Sequence, residues 1–174
     1  MTHKGLRNLG LAFIALILMG ASHAQHAKKG VDRSKMAVVL PFESEVKGTA
    51  GLPEATRAAV IQTLKDGDTF AATLTPEEAK DKDKTNLVEI GARLVDFAPG
   101  NAAKRLMVGF GSGRAHAEFE FTLKDPTSGD TVWKKKIKQT ASFWFNSTTS
   151  SAAERSELPD GVAKKLVEEL KSQK

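Results

Sequence analysis

Apolar positions along this chain change their period several times, and each change marks an element. A continuous apolar run, Met36-Ala37-Val38-Val39-Leu40, ends at Pro41. Its length and lack of alternation predict a strand buried on both faces. After a loop from Glu43 to Ala50, with Gly48 and Gly51 as breakers, Pro53 suits the first turn of a helix, where a missing amide donor costs nothing. Ala55, Ala59, Val60 and Leu64 recur at helical spacing, with Glu54, Arg57 and Lys65 read as facing outward and Gly67 as the stop. Thr69 to Leu74 reads as a second strand. Thr75-Pro76-Glu77-Glu78 has the form of a cap followed by one or two helical turns, and Lys80 to Lys84 alternates charge in a solvated loop.

A period of two takes over from Asn86 to Ala98. Val88, Ile90, Ala92 and Leu94 share one face, and then Val95 and Phe97 carry the apolar role, a phase change that predicts a bulge or sharp twist near Leu94. Pro99-Gly100-Asn101 is turn chemistry, and Ala102 to Leu106 is compatible with a short helical turn. The clearest strand follows, with Ala115, Ala117, Phe119, Phe121 and Leu123 on one face and His116, Glu118, Glu120, Thr122 and Lys124 on the other. Asp125 to Asp130 is a hairpin connection in which Gly129 supplies a positive φ, and Thr131 to Thr140 returns with Trp133 and Ile137 on one face. Phe143-Trp144-Phe145 and a Ser/Thr-rich loop from Asn146 to Ala153 precede a last helix opened by Pro159. Val162, Leu166 and Leu170 form its stripe, with Val167 beside them, and Lys164 with Glu168 and Lys165 with Glu169 stand at i, i+4 on the outer side. The order β-α-β-(α)-β-β-β-α predicts an α/β (α+β) two-layer sandwich, a mixed sheet of about five strands with two main helices.

The chain's start reads differently. Lys4 and Arg7 precede an apolar run from Leu9 to Met19, and Ser22-His23-Ala24 offers small residues for cleavage between Ala24 and Gln25. The run falls short of the roughly 20 residues a bilayer-spanning helix needs. We therefore read residues 1–24 as a cleaved signal peptide, 25–34 as a flexible leader and 35–172 as one domain. Losing Lys4 and Arg7 lowers the formal charge of +5 by two, to +3. That residual is diffuse, where a nucleic-acid binder concentrates its basic residues on one face. With no cysteine there is no disulfide, no thiol chemistry and no acylated N-terminal cysteine. The expectation is a periplasmic protein without a stable membrane anchor.

Candidate chemistry narrows quickly. Gly109, Gly111 and Gly113 look like a phosphate loop, but a dinucleotide fingerprint spaces its last glycine further on and runs into a helix. Here a strand follows, so the glycines make a bare strip on one face, with Phe110 opposed to them. Either this chain covers that strip or another does. His116 stands mid-strand with no nucleophile elbow nearby, and reads as a surface histidine. Asp96, Glu118 and Glu120 are more simply a solvent face than a hard-cation site or a hydrolase pair. Lys134-Lys135-Lys136 with Lys138 reads as an edge strand blunted against aggregation, the alternative being contact with anionic envelope polymer. Adjacent aromatics at 143–145 must point to opposite faces, so at least one either is exposed, where a partner could meet it, or covers a neighbouring element. The candidate interaction surface is therefore Gly109, Gly111, Gly113, Arg105, Arg114, Trp133 and Trp144. No catalytic, cofactor-binding or metal-ligating residue is identified.

The stretch from Val88 to Gly129 resembles an uncharacterised family of bacterial exported proteins and lipoproteins. Its shared elements stand here as Asp96-Phe97-Ala98-Pro99-Gly100-Asn101, then Arg105, then Gly109-Phe110-Gly111-Ser112-Gly113, then Asp125 to Gly129. At the level of fold the chain is also similar to small envelope α/β modules, such as the activator lipoproteins of peptidoglycan synthases and the curli secretion lipoprotein. The resemblance implies no enzymatic activity, and without a cysteine the lipid tether of many members does not carry over. Arg105 is expected to anchor the turn by bonding Asp96 or loop carbonyls. The resulting expectation is a non-enzymatic envelope module acting through an envelope protein partner or self-association. The alternative is a binding module for a small envelope ligand, a glycan fragment or lipid headgroup, using the aromatics and Lys134 to Lys138.

Overall fold

The buried run at Met36 becomes a strand because it has a parallel neighbour on either side. The computed structural model describes residues 30–49, 51–101, 113–141 and 156–173. Expectations for the signal segment with Ala24 and Gln25, the turn at Ala102, Phe143 to Phe145 and the Ser/Thr-rich loop lie outside these residues. Strand β1 (Met36–Val39) pairs in parallel with β3 (Ala72–Leu74) and with β4 (Leu87–Pro99). Ala37, Val38 and Val39 are all buried, which explains why the run does not alternate.

Near Pro41, which has no amide hydrogen to donate, the ladder is interrupted and then resumes. Leu40 N donates to Ile90 O (2.9 Å), β2 (Glu43–Ser44) pairs in parallel with β4, and Glu45 N donates to Leu94 O (3.0 Å). β1 and β2 thus act as one broken strand along β4, so residues read as loop from Glu43 onward contribute a sixth, two-residue strand. β4, β5 (Ala115–Lys124) and β6 (Thr131–Thr140) follow as an antiparallel meander, giving the order β3-β1-β4-β5-β6. The sheet is mixed, and the fold is the two-layer α+β sandwich expected.

The phase change in β4 is a bulge at Val95. Leu94 faces Phe119 and Asp96 faces Glu118, leaving Val95 as the extra residue. At the hairpin, Gly129 adopts φ 77°. The Asp125 carboxylate accepts from Thr127 N (2.8 Å) and also meets Lys35 Nζ at 3.3 Å. These bonds, that of Thr127 N foremost, hold its pKa below the ordinary 3.8.

Both helices pack on one face of the sheet. α1 (Leu52–Asp66) and α2 (Leu158–Ser172) lie against each other and over a core containing Phe119, Phe121, Leu123, Leu94, Val162, Leu166 and Leu170. The stripe of α2 is as expected. That of α1 is rotated: Thr56, Val60 and Leu64 are buried while Ala55 is exposed. Arg57, expected outward, turns toward the end of β1, where its Nε donates to Leu40 O (3.0 Å) and its Nη2 to Val39 O (3.1 Å). Those carbonyls lie where the ladder is broken, and a guanidinium fork can reach two at once.

The reciprocal cap at Thr75 forms, with Thr75 N donating to Glu78 Oε2 (2.7 Å) and Glu78 N to Thr75 Oγ1 (3.4 Å). Turns and a three-residue 3-10 helix (Lys84–Asn86) follow it instead of an α-helix, because Lys80 to Lys84 is exposed and has no apolar stripe to bury. On α2 the i, i+4 pair of Lys165 gives way to tertiary contacts. Lys165 Nζ donates to Lys138 O (2.8 Å), and Glu169 pairs with Lys135. Gly161 lets α2 approach β6, since a Cβ there would lie 2.5 Å from Gln139 Cδ.

Candidate functional site: the outer face of the sheet

The face away from the helices is built by simple alternation. On β5, His116, Glu118, Glu120 and Thr122 are only half-buried and Lys124 is exposed, between five buried apolar residues. β4 adds Glu89, Gly91 and Arg93, whose neighbours Ile90, Ala92 and Leu94 lie in the core. The bulge matters here: without Val95 as an extra residue, Asp96 would fall on the helix side, and with it Asp96 joins the polar face. β6 supplies Lys134, Lys136 and Lys138.

These charges hold one another. Arg93 reaches Glu45 (2.6 Å) through Nη1 and Glu120 Oε1 (2.8 Å) through Nη2, and Lys134 Nζ approaches the same Oε1 at 2.9 Å. The Glu120 side chain is 12% exposed. Its pKa is held below the ordinary 4.5, first by the Lys134 hydrogen bond and then by Arg93, against an opposing contribution from burial. At the far end, His116 Nε2 (3.0 Å) and Lys138 Nζ (3.5 Å) meet on Asp96 Oδ2. The Asp96 pKa is lowered from 3.8, chiefly by the His116 bond. Lys136 lies 4.0 Å from Glu118. Asp96 and Glu120, held ionised this way, are poorly matched to donating a proton near neutral pH, as a general acid must.

The basic run therefore lies on an edge strand, as expected, and each of its four lysines has an acid of the same chain beside it. Those pairs weaken the reading of Lys134 to Lys138 as a site for anionic polymer. Between Leu40-Pro41 and Glu120 the face dips into an open concavity of about 360 Å³. Small side chains make its floor: Gly91 faces Thr122 across the strands, and a Cβ at Gly91 would lie 3.3 Å from Thr122 Oγ1.

Of the candidate surface, Arg105, Gly109, Gly111 and Trp144 lie outside the described residues, so the bond expected from Arg105 to Asp96 does too. Gly113 has φ 75°, and its carbonyl accepts from Asn101 N (2.8 Å), closing the base of the segment between β4 and β5; Arg114 comes next. Trp133 is half-buried on the helix side, opposite Leu123 and packed against the core. Sequence reasoning missed Arg93 and Arg57. Arg93 was findable as a cation on the polar phase of a strand, but its partners Glu45 and Glu120 follow only from register. Among the described residues, no group of three or more His, Asp or Glu is placed to hold a metal ion, and no helix is long and apolar enough to cross a membrane.

Residues 41–142, more than half of the chain, match the model of a domain of unknown function, DUF4410. No curated protein matches the sequence. Among solved structures, a single-residue variant of the PelC dodecamer from Paraburkholderia phytofirmans is similar with a TM-score of 0.52 at 15% identity, covering 80% of this chain and 90% of that one. Protein XCC0632 from Xanthomonas campestris, assigned to DUF330, gives 0.52 at 11% identity over 79% and 81% of the two chains. At such identities the likeness is one of fold.

Proposed function

Starting from a chain that belongs to the DUF4410 family, we propose a non-enzymatic module of the periplasm and cell envelope that acts through protein–protein association. The observation that carries this reading is the sheet's outer face. Over β4, β5 and β6 its polar side chains stay at least partly exposed, and Asp96, Glu118 and Glu120 are engaged with cations of the same chain. The signal segment, with Lys4, Arg7 and an expected cut after Ala24, supports export. The fold likeness to a dodecamer supports an architecture compatible with subunit packing. Gly109, Gly111 and Gly113, with Arg105 and Arg114, are part of the proposed surface.

Crosslinking in intact cells followed by pull-down tests the reading. A discrete crosslinked species containing this chain is expected, and its absence in cells that express the chain overturns the association role. Gly111→Val is expected to change native mass or to remove a crosslinked species; if folding, mass and crosslinks are all unchanged, the glycine strip has no part in assembly. An intrinsic turnover lost on Glu120→Gln would remove the non-enzymatic part.

The concavity over Gly91 favours a second reading, a small envelope ligand, since its volume is within the roughly 300–1,000 Å³ of ligand sites. A ligand bound only by the native state raises the melting temperature. Muropeptide fragments and soluble lipid headgroups are therefore the probes, and a flat thermal-shift panel retires this reading.

A further inference from the structure

One valine sets where the chain enters the fold. Val31 is 8% exposed and belongs to the core, although its neighbours in sequence are polar and Gly30 just before it is exposed. A tight turn follows, in which the Asp32 carboxylate accepts from Ser34 N (3.1 Å) and from Ser34 Oγ (2.6 Å). Lys35 continues the attachment: its carbonyl accepts from Ala71 N (3.1 Å), and its Nζ meets Asp125. Residues 31 to 35 are therefore fixed to the body of the fold.

With the signal cut between Ala24 and Gln25, the six residues ahead of Val31 are Gln25-His26-Ala27-Lys28-Lys29-Gly30. The cut thus makes a glutamine the first residue, and glutamine has a reaction of its own at that position. Its side-chain amide carbonyl is within reach of its own α-amino nitrogen, and the two close an unstrained five-membered lactam. Glutamine inside a chain cannot do this, because its nitrogen is already held in a peptide bond.

We propose that the amino terminus of the exported chain is a pyroglutamate formed from Gln25. This rests on the export reading above, which supplies the cut after Ala24. α-Amino groups titrate close to neutrality, so a neutral fraction is present to react. The lone pair of the Gln25 α-nitrogen attacks the side-chain carbonyl carbon Cδ, and a bond forms between them. The bond from Cδ to Nε2 breaks, and that nitrogen leaves as ammonia with a proton from the attacking one. Nothing is oxidised or reduced, and no co-reactant is consumed. The lactam removes the positive charge of the terminus and leaves those of Lys28 and Lys29. It also removes the free amine that an aminopeptidase recognises. The first residues of a domain are where proteolysis concentrates unless they are tied down. Here the tie begins at Val31, so the lactam guards the six residues ahead of it.

The test uses the chain expressed in full in a bacterium that exports it, purified as the cell leaves it and incubated at neutral pH. Its intact mass is expected to equal that of residues 25–174 less one ammonia. Stepwise sequencing from the amino terminus is expected to be blocked until a pyroglutamyl peptidase removes the first residue and exposes His26. A broad aminopeptidase is expected to leave the wild type unchanged. Gln25→Glu, whose carboxylate cyclises far more slowly, is expected to keep its amine and to be shortened toward Val31. A chain that begins at Gln25 and keeps a free amine after prolonged incubation overturns the proposal and leaves the export reading standing. A chain that begins at Met1, or at any residue other than Gln25, overturns the cut and the proposal together.

Discussion

Strand β5 presents two surfaces that differ in everything but backbone. Toward the helices, Ala115, Ala117, Phe119, Phe121 and Leu123 are fully buried, and Phe42 meets the ring of Phe121 edge-on at 5.7 Å. Toward the outside, His116, Glu118 and Glu120 join a net of ion pairs. Burial of apolar area is roughly additive and hard to replace, whereas partly exposed ion pairs contribute little each and weaken in salt. The helix side therefore sets whether the chain folds, and the outer side is free to set what the folded chain meets.

Substitutions that separate the two sides sharpen this contrast. Phe121→Ala removes a fully buried ring, and a loss of about 3–5 kcal/mol in chemical denaturation is expected. Arg57→Ala leaves the carbonyls of Val39 and Leu40 without their donor at the break between β1 and β2. A loss of about 1–3 kcal/mol is expected, read as a lower denaturation midpoint at unchanged slope. Gly161→Ala forces a Cβ onto Gln139 and is expected to cost about 1 kcal/mol, recovered in a Gly161→Ala, Gln139→Ala double variant. A cost that persists without the Gln139 side chain would place the problem elsewhere in α2.

The smallest effect belongs to the outer face and concerns pH. The pKa values of Glu120 and Asp96 are lower in the folded chain than their ordinary 4.5 and 3.8. Each therefore adds stability that is present above its ordinary value and is lost as pH falls through its lowered folded value. Melting temperature should be level near neutrality and decline below about pH 4.5, more steeply in wild type than in Glu120→Gln with Asp96→Asn. Equal acid slopes in the two proteins would mean that these pairs do not couple to folding. Asp125, with Lys35 beside it and Thr127 N bonded to it, supplies a further acid-sensitive contact that both proteins retain.

Much of the fold was legible because period and burial are local. The bulge at Val95 was visible as a change of phase, and the exposed lysines of β6 as an edge. Arg57 was misread because helical spacing alone placed it outward, while the break after Leu40 exposes carbonyls that only the packed helix can reach. The cap at Thr75 was correct as chemistry and incomplete as a helix, since propagation needs an apolar stripe to bury. The ion pairs of Glu120 could not be read at all, because Arg93 and Lys134 lie on two different strands and only register brings them together.

The sequence by itself determined the element order, the alternation on β5 and the absence of thiol chemistry, since each follows from residues close together or from composition. Only the tertiary structure decided that β1 and β2 form one broken strand, that both helices cover the same side, and that acids of β4 and β5 stand beside the lysines of β6 on the other side. Those are consequences of strand register and crossover. They relate residues distant in the chain, and no local pattern encodes them.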